Sequence, residues 1–212
     1  MRRTIPVGAP AALAPLASLE DLKADLGITD NGQDARLSSL LLEASGMALA
    51  YVGRSIMRAV WRDNITIEPG AKRLQLVLGR WPLLSIKAMS IGTVSLTPEQ
   101  VEALNVDPAS AIIYPADTGG RLWSAGSYTI DYTAGYALPG SNDPLLIPPN
   151  IQRAVRQIAT GLWHGAGRDP LLKSEAEQGV GSTSWNVSAP GLGGLPQEAA
   201  SILIPYRTAG FR

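Results

Sequence analysis

The residue types that most often act as bases, metal ligands or nucleophiles are scarce in this chain. It has one histidine, His164, and no cysteine, which excludes disulfides, thiolate chemistry and zinc–thiolate sites. His164 follows Trp163 at the predicted end of a helix, where the helix dipole favours a cationic imidazole. No neighbouring motif supplies a nucleophile or further ligands. A structural role is therefore the better interpretation of His164.

Three other stretches could in principle bind a ligand. Asp30, Asn31 and Asp34 invite a calcium site, but a calcium loop also needs a glycine after the third ligand and a glutamate at its twelfth position. A turn followed by a helix N-cap explains them better. The stretch "GVGSTS" lacks the lysine and the preceding strand of a phosphate-binding loop. Paired carboxylates such as Glu175 and Glu177 are ordinary on a solvated surface. The sequence predicts no enzyme, no cofactor and no metal.

The charge balance limits the class of partner. The 212 residues include 18 basic and 18 acidic side chains, so the formal net charge is zero. A general nucleic-acid binder draws its affinity from excess lysine and arginine that neutralise phosphates, and this chain has no such excess. No apolar run approaches the ~20 residues of a membrane span, so no membrane partner is predicted.

The spacing of the apolar residues changes twice along the chain, from helical to alternating and back to helical. Ser18 is predicted to cap a short helix that Gly27 ends, and a second helix is predicted to end at Gly53. From Ala59 the apolar period becomes two, with Leu74, Leu76 and Leu78 on one side of a strand and Tyr128, Ile130 and Tyr132 on one side of another. Helical period returns after Pro149, in a stripe that consists of Ile151, Ala154, Val155, Ile158, Ala159 and Leu162.

This order of elements predicts an α+β fold: a small helical bundle with an inserted antiparallel β region and an extended C-terminal arm that ends in a short helix. Prolines at 6, 10 and 15 interrupt the apolar core that a signal peptide needs, so we expect an extended leader on a surface. The expected segments are a leader at 1–17, the helical bundle at 18–58 and 148–178, the inserted β region and loop at 59–147, and the C-terminal arm and short helix at 179–212.

Three stretches together resemble the head–tail connector (adaptor) proteins of tailed bacteriophages. "SLEDLKADLGITDNGQDARLSSLLLEASGMALAYVGR", at 18–54, is similar to their opening helix pair. "YTIDYTAGYALPGSNDPLLIPPNIQRAVRQIATGLWH", at 128–164, is similar to their strand ending in Ala-Gly-Tyr and the proline-initiated helix that follows. "LKSEAEQGVGSTSWNV", at 172–187, and the final "ILIPYR" are similar to their C-terminal segment. Many members carry Tyr and Arg where this chain has Trp163 and His164.

The resemblance implies a structural role in the neck of a phage or gene-transfer particle. Such proteins form a ring of about twelve copies beneath the portal protein. The ring extends the channel for genome DNA, which passes without sequence-specific binding, and it meets a stopper or another neck or tail protein. The implied location is the virion neck, after assembly in the host bacterial cytoplasm. A neutral surface suits a channel wall, because a basic one would retain the DNA.

The glycine-rich segment before the terminal helix has an expected use in this setting. A segment that orders only on a partner loses its conformational entropy at assembly, and its apolar side chains then anchor it. The predicted portal-interface residues are Trp185, Leu195, Ile202, Leu203, Ile204, Tyr206 and Arg207. The alternative is that this arm folds back onto its own helical core, because "ILIPYR" is apolar enough to be buried.

Other functions fit the same sequence. A stopper or a tail-completion protein is the nearest alternative, although helices on both sides of the predicted sheet favour the adaptor. A cellular binding module or a small enzyme is a more distant alternative.

Overall fold

The computed structural model describes residues 1–9, 12–116, 122–165 and 194–207, and the backbone alone at 174–177 and 181–184. The chain forms two compact units. We call Met1–Ala12 with Ile56–Ala137 the sheet unit, and Leu13–Ser55 with Leu138–Arg212 the helical unit. The predicted α+β class is confirmed.

The bounds of the elements follow in chain order. The helices of the described residues are α1 (Leu19–Leu26), α2 (Asp34–Val52), α3 (Pro98–Glu102), α4 (Pro149–Gly165) and α5 (Gln197–Leu203), and a 3-10 turn, Ile204–Tyr206, follows α5 directly. The strands are β1 (Arg2–Pro6), β2 (Ala59–Ile67), β3 (Leu76–Val77), β4 (Leu83–Ile91), β5 (Val94–Ser95), β6 (Asn105–Asp107), β7 (Ile112–Tyr114), β8 (Gly126–Ala134), β9 (Ser174–Glu177) and β10 (Gly181–Ser184).

The sheet unit contains two antiparallel sheets. The larger has the strand order β1-β2-β8-β4-β5, and the smaller has the order β3-β7-β6. Along β2 and β8 alternate side chains are buried, as period two predicts. The buried side chains form a core with Leu76, Met89 and Ile113. The prediction for Leu74 is wrong, because β3 begins only at Leu76 and leaves Leu74 68% exposed.

The N-terminal leader forms part of a sheet, in contrast to the surface segment that the sequence predicts. Arg2–Pro6 pair with β2 as an edge strand, in a register that places Arg3 opposite Asn64. The prolines of this region lie at or beyond the end of β1, so they do not interrupt its ladder. The five residues of β1, RRTIP, do not alternate between polar and apolar types, so the sequence carries no local signal that separates this strand from an extended leader.

Local sequence signals define the first helices of the helical unit. The Ser18 side chain accepts a hydrogen bond from the backbone N–H of Glu20, and Gly27 ends α1 at a φ of 68°. Gly53 ends α2 in the same left-handed region, at a φ of 75°. These caps confirm the predicted ends, since the positive φ favours glycine at both.

The helix α4 buries most of its predicted apolar stripe. In α4 the buried residues are Ile151, Ala154, Val155, Ile158 and Ala159. Leu162, the last residue of the predicted stripe, is only half-buried. The buried face of α2 includes a serine, Ser45, whose hydroxyl donates to the carbonyl of Leu41 and accepts from the N–H of Leu16.

Candidate interaction surfaces

The short terminal helix α5 belongs to the core of the helical unit. Its side chains Ala199, Ala200 and Leu203 are buried, and so is Leu195 just before it. α5 packs against α4 and α2. Each of these side chains is apolar and small enough to fit between helices, so their burial stabilises the docked position of α5.

Polar contacts fix the residues that follow α5. The Tyr206 hydroxyl donates to Asn150 Oδ1 at 3.0 Å, and Arg54 Nε donates to the Tyr206 carbonyl at 3.3 Å. The Arg207 guanidinium carbon lies 4.7 Å from the centroid of the Tyr51 ring, a cation–π geometry. The end of the described chain is therefore held on α2 and on the start of α4.

The predicted portal-interface residues fall into five groups. Leu195 and Leu203 are buried in the core of the helical unit, Ile202 is half-buried, and Tyr206 and Arg207 contact their own helices. Ile204 is 56% exposed. Trp185 lies outside the described residues. For 194–207 the fold-back alternative describes the structure, because these apolar side chains fill a gap between helices. In this conformation Leu195 and Leu203 are not accessible to a partner; a portal role for the others stays a prediction.

The described residues on either side of the segment 166–193 lie towards the C-terminal end of α4. The segment leaves from Gly165, the last residue of α4. It returns before Pro196, whose Cγ lies 3.9 Å from the position that a Cβ on Gly161 would take. Within it, β9 and β10 pair antiparallel and form a two-stranded sheet. We call residues 166–193 the loop, because they connect α4 to the residues that precede α5.

Carboxylates neutralise the two arginines on the polar side of α4. Arg153 contacts Glu198 of α5 at 2.7 Å, and Arg156 contacts Asp25 at 2.7 Å and Asp21 at 3.4 Å. These pairs tie α4 to α5 and α1. They also leave neither guanidinium as an isolated positive charge for a phosphate backbone.

The acidic cluster at the start of α2 surrounds a lysine. Lys23 Nζ donates to Asn31 Oδ1 and to Asp34 Oδ1, both at 2.7 Å, and Asp30 accepts from the N–H of Gly32 at 2.8 Å. The turn is confirmed, but the side-chain N-cap is wrong, since the cap position is Gln33 and makes no such bond. The ammonium group of Lys23 thus bonds two of the three side chains that the calcium interpretation would use as ligands. Among the described residues no cluster of three His, Asp or Glu could hold a metal ion.

His164 is exposed at the end of α4, next to a stacked pair. The Arg36 guanidinium carbon lies 4.8 Å from the centroid of the Trp163 ring. This cation–π contact joins the start of α2 to the end of α4. It gives Trp163 a packing role.

Steric crowding explains the glycine in the Ala134-Gly135-Tyr136 motif. Gly135 has a φ of 105°, and a Cβ there would lie 2.5 Å from the Met57 carbonyl oxygen. The Tyr136 backbone bonds the segment around Met57: its N–H donates to the Ile56 carbonyl and its carbonyl accepts from the Arg58 N–H, both at 2.8 Å. Only glycine at position 135 lets the two backbone segments approach so closely.

A buried carboxylate organises the sheet unit, and sequence reasoning missed it. Asp63 is fully buried and accepts from the Gly79 N–H at 2.6 Å and from the Tyr132 hydroxyl at 3.1 Å. The same hydroxyl accepts from the N–H of Arg80. Burial, together with the Asp63 charge, raises the pKa of Tyr132 far above its ordinary value. Asp63 lies on the buried face of β2, and no local signal in the sequence identifies its partners.

The comparisons with known proteins bear on the resemblance to connector proteins. Residues 16–81 match the model of the family described as phage gp6-like head-tail connector proteins. The match confirms, over these residues, the resemblance that the sequence motifs predict, and it supports a structural connector role. No curated protein matches the chain.

Two solved structures have the same fold. A chain from "Neck of empty GTA particle computed with C6 symmetry" has a TM-score of 0.51 and 16% identity, over 99% of this chain and 97% of that one. A chain from "Neck of native GTA particle computed with C12 symmetry" has a TM-score of 0.50 and 14% identity, with the same coverage. In the described part of the chain, no helix is long and apolar enough to cross a membrane.

Proposed function

We propose that this chain is a head–tail connector of a tailed phage or a phage-like particle, a structural protein without enzymatic activity. The observation that carries the proposal is the match of residues 16–81 to the connector family, on a fold shared over almost the whole chain with neck proteins of gene-transfer particles. In this role about twelve copies form a ring beneath the portal, in the neck of a particle assembled in the host cytoplasm. A stopper or another tail protein meets the ring on its far side.

The charge distribution supports a channel that does not retain DNA. The chain is neutral overall, and Arg153 and Arg156 are paired with carboxylates. On the face of the larger sheet opposite its core, Arg62 and Asp131 form a two-bond ion pair with distances of 2.6 Å. A surface with neutralised charges gives little counterion release, so the genome passes without tight binding.

The loop 166–193 is the proposed portal contact. α5, which follows the loop in the chain, is buried against α4 and α2 of the helical unit. Among the predicted interface residues, we propose Trp185 in the loop and Ile204, which is 56% exposed, as the main apolar contacts with the portal. A buried Trp in an interface is a frequent hot spot, worth about 2 kcal/mol or more.

An internal excision tests this assignment. Residues 170–188 are replaced by a flexible linker of roughly eight residues, which spans about 16 Å and leaves α5 in place. We expect the excised chain to keep its circular dichroism and thermal midpoint but to lose binding to purified portal. Truncation after Gln178, in contrast, removes α5 and destabilises the helical unit.

Single substitutions sharpen the test. Trp185→Ala should weaken portal binding about 30-fold, as a loss of ~2 kcal/mol implies, and Trp185→Phe, which keeps an aromatic ring, should weaken it less. An excised chain that binds portal as well as the intact chain would refute the loop as the contact. An intact chain that does not bind portal at all would refute the connector function.

A further inference from the structure

The sheet unit is completed by a strand from a distant part of the chain. All of its other strands lie within the continuous segment Ile56–Ala137, whereas β1 comes from Met1–Ala12. Between them the chain passes through α1 and α2 of the helical unit. β1 is therefore added to the edge of β2 from outside the segment that builds the rest of the sheet.

The edge of β2 is a site with sequence-specific contacts for this strand. Arg2 Nη1 donates to the carbonyls of Val77 and Leu78, both at 3.0 Å. Thr4 packs against Gly79, where any Cβ would collide with its hydroxyl group. These contacts lie beyond the backbone ladder of Arg2–Pro6 with β2, so an unrelated strand would not reproduce them.

The connection between β1 and the helical unit is long enough for the strand to reach a neighbour. The last ladder bond of this region runs from the Val7 N–H to the Val60 carbonyl at 2.9 Å. The next fixed point is Leu16, whose N–H donates to Ser45 Oγ at 2.9 Å. The intervening residues 8–15 contain glycine, alanine, proline and one leucine. When extended they span about 30 Å.

We propose that β1 is an exchangeable strand, which pairs with β2 of an adjacent copy of this chain when copies assemble side by side. Identical copies offer identical edges, so every contact of Arg2 and Thr4 is kept after exchange, and the exchange costs little in enthalpy. Without some β1, the nine-residue β2 would present an open edge, which proteins avoid. The side-by-side arrangement of copies in this proposal rests on the ring of the proposed function.

Cysteine pairs detect the exchange directly, because the native chain has no cysteine. Arg3 and Asn64 are Cα partners in the ladder, and antiparallel partners lie about 4.5–5.5 Å apart, within the range of a disulfide. Arg3→Cys and Asn64→Cys are made in separate chains, mixed, assembled on portal and also concentrated alone, and then oxidised. The double variant Arg3→Cys/Asn64→Cys verifies that the geometry closes a disulfide.

The matched control mixes Arg3→Cys with Lys87→Cys, since Lys87 is exposed on β4 and is not a ladder partner of β1. We expect roughly tenfold more disulfide-linked heterodimer from the Arg3 and Asn64 pair than from the control, because exchange raises the effective concentration of the two thiols. Electron microscopy scores ring formation separately. Rings in which the two pairs cross-link equally overturn the exchange and leave the connector function standing. If no ring forms, the connector function fails, and equal cross-linking in the concentrated chains then overturns the exchange as well.

Discussion

Two neighbouring residues at the end of α5 give the most direct test of its burial. Leu203 is 0% exposed and Ile204 is 56% exposed, so truncation to alanine should have unequal effects. Leu203→Ala removes three buried carbons, which at ~0.8 kcal/mol each is about 2.4 kcal/mol before any cavity term. Leu→Ala changes in cores cost about 2–5 kcal/mol. The cost cannot exceed the free energy that docks α5, because a weakened helix can detach locally.

The assay is urea unfolding of the full chain, followed by far-ultraviolet circular dichroism. Leu203→Ala should lower the midpoint by about 1 M, given a typical slope of about 2 kcal/mol per molar urea, or should detach α5 and expose 194–207 to protease. Ile204→Ala should change the free energy of unfolding by less than about 0.5 kcal/mol. Equal, small effects of both substitutions, with no gain in protease cleavage, would refute the burial of α5.

Four further predictions concern other parts of the chain. Gly135→Ala should destabilise the sheet unit by more than about 2 kcal/mol, whereas Gly140→Ala, at a φ of 82° in open space, should cost about 1 kcal/mol; equal unfolding midpoints would contradict the steric reason. Tyr132→Phe removes a buried hydrogen-bond donor to Asp63 and should lower the free energy of unfolding by about 1–3 kcal/mol, measured with urea. An unchanged free energy would show that this hydrogen bond does not stabilise the fold. His164→Gln should leave particle assembly unchanged, and a loss with the fold intact would show a specific role. Duplex DNA should bind weakly in a fluorescence titration, and submicromolar affinity at about 150 mM salt would contradict a non-retaining channel.

Local signals predicted the helices well, because each depends on residues within one or two turns. Ser18 and Gly27 define α1 with bonds to near neighbours. The stripe on α4 is read from period alone, and only Leu162 departs from it.

The features that the sequence did not predict all depend on distant partners. The strand β1 pairs with residues about sixty positions away, and Asp63 meets a tyrosine 69 positions away. Lys23 forms an ion pair with Asp34, eleven positions away, in the cluster that resembles a calcium site in the sequence. The burial of α5 was left open, because an apolar segment that docks on its own core and one that docks on a partner have the same composition.

Electron cryomicroscopy of the purified chain mixed with its portal protein tests the central claim most directly. The account predicts that the chain alone is a monomer or a weak oligomer, and that with portal it forms a closed ring of about twelve copies beneath the portal, with the loop 166–193 in contact with it. A chain that stays separate from the portal, or that joins the particle only at another position in the tail, would contradict the account.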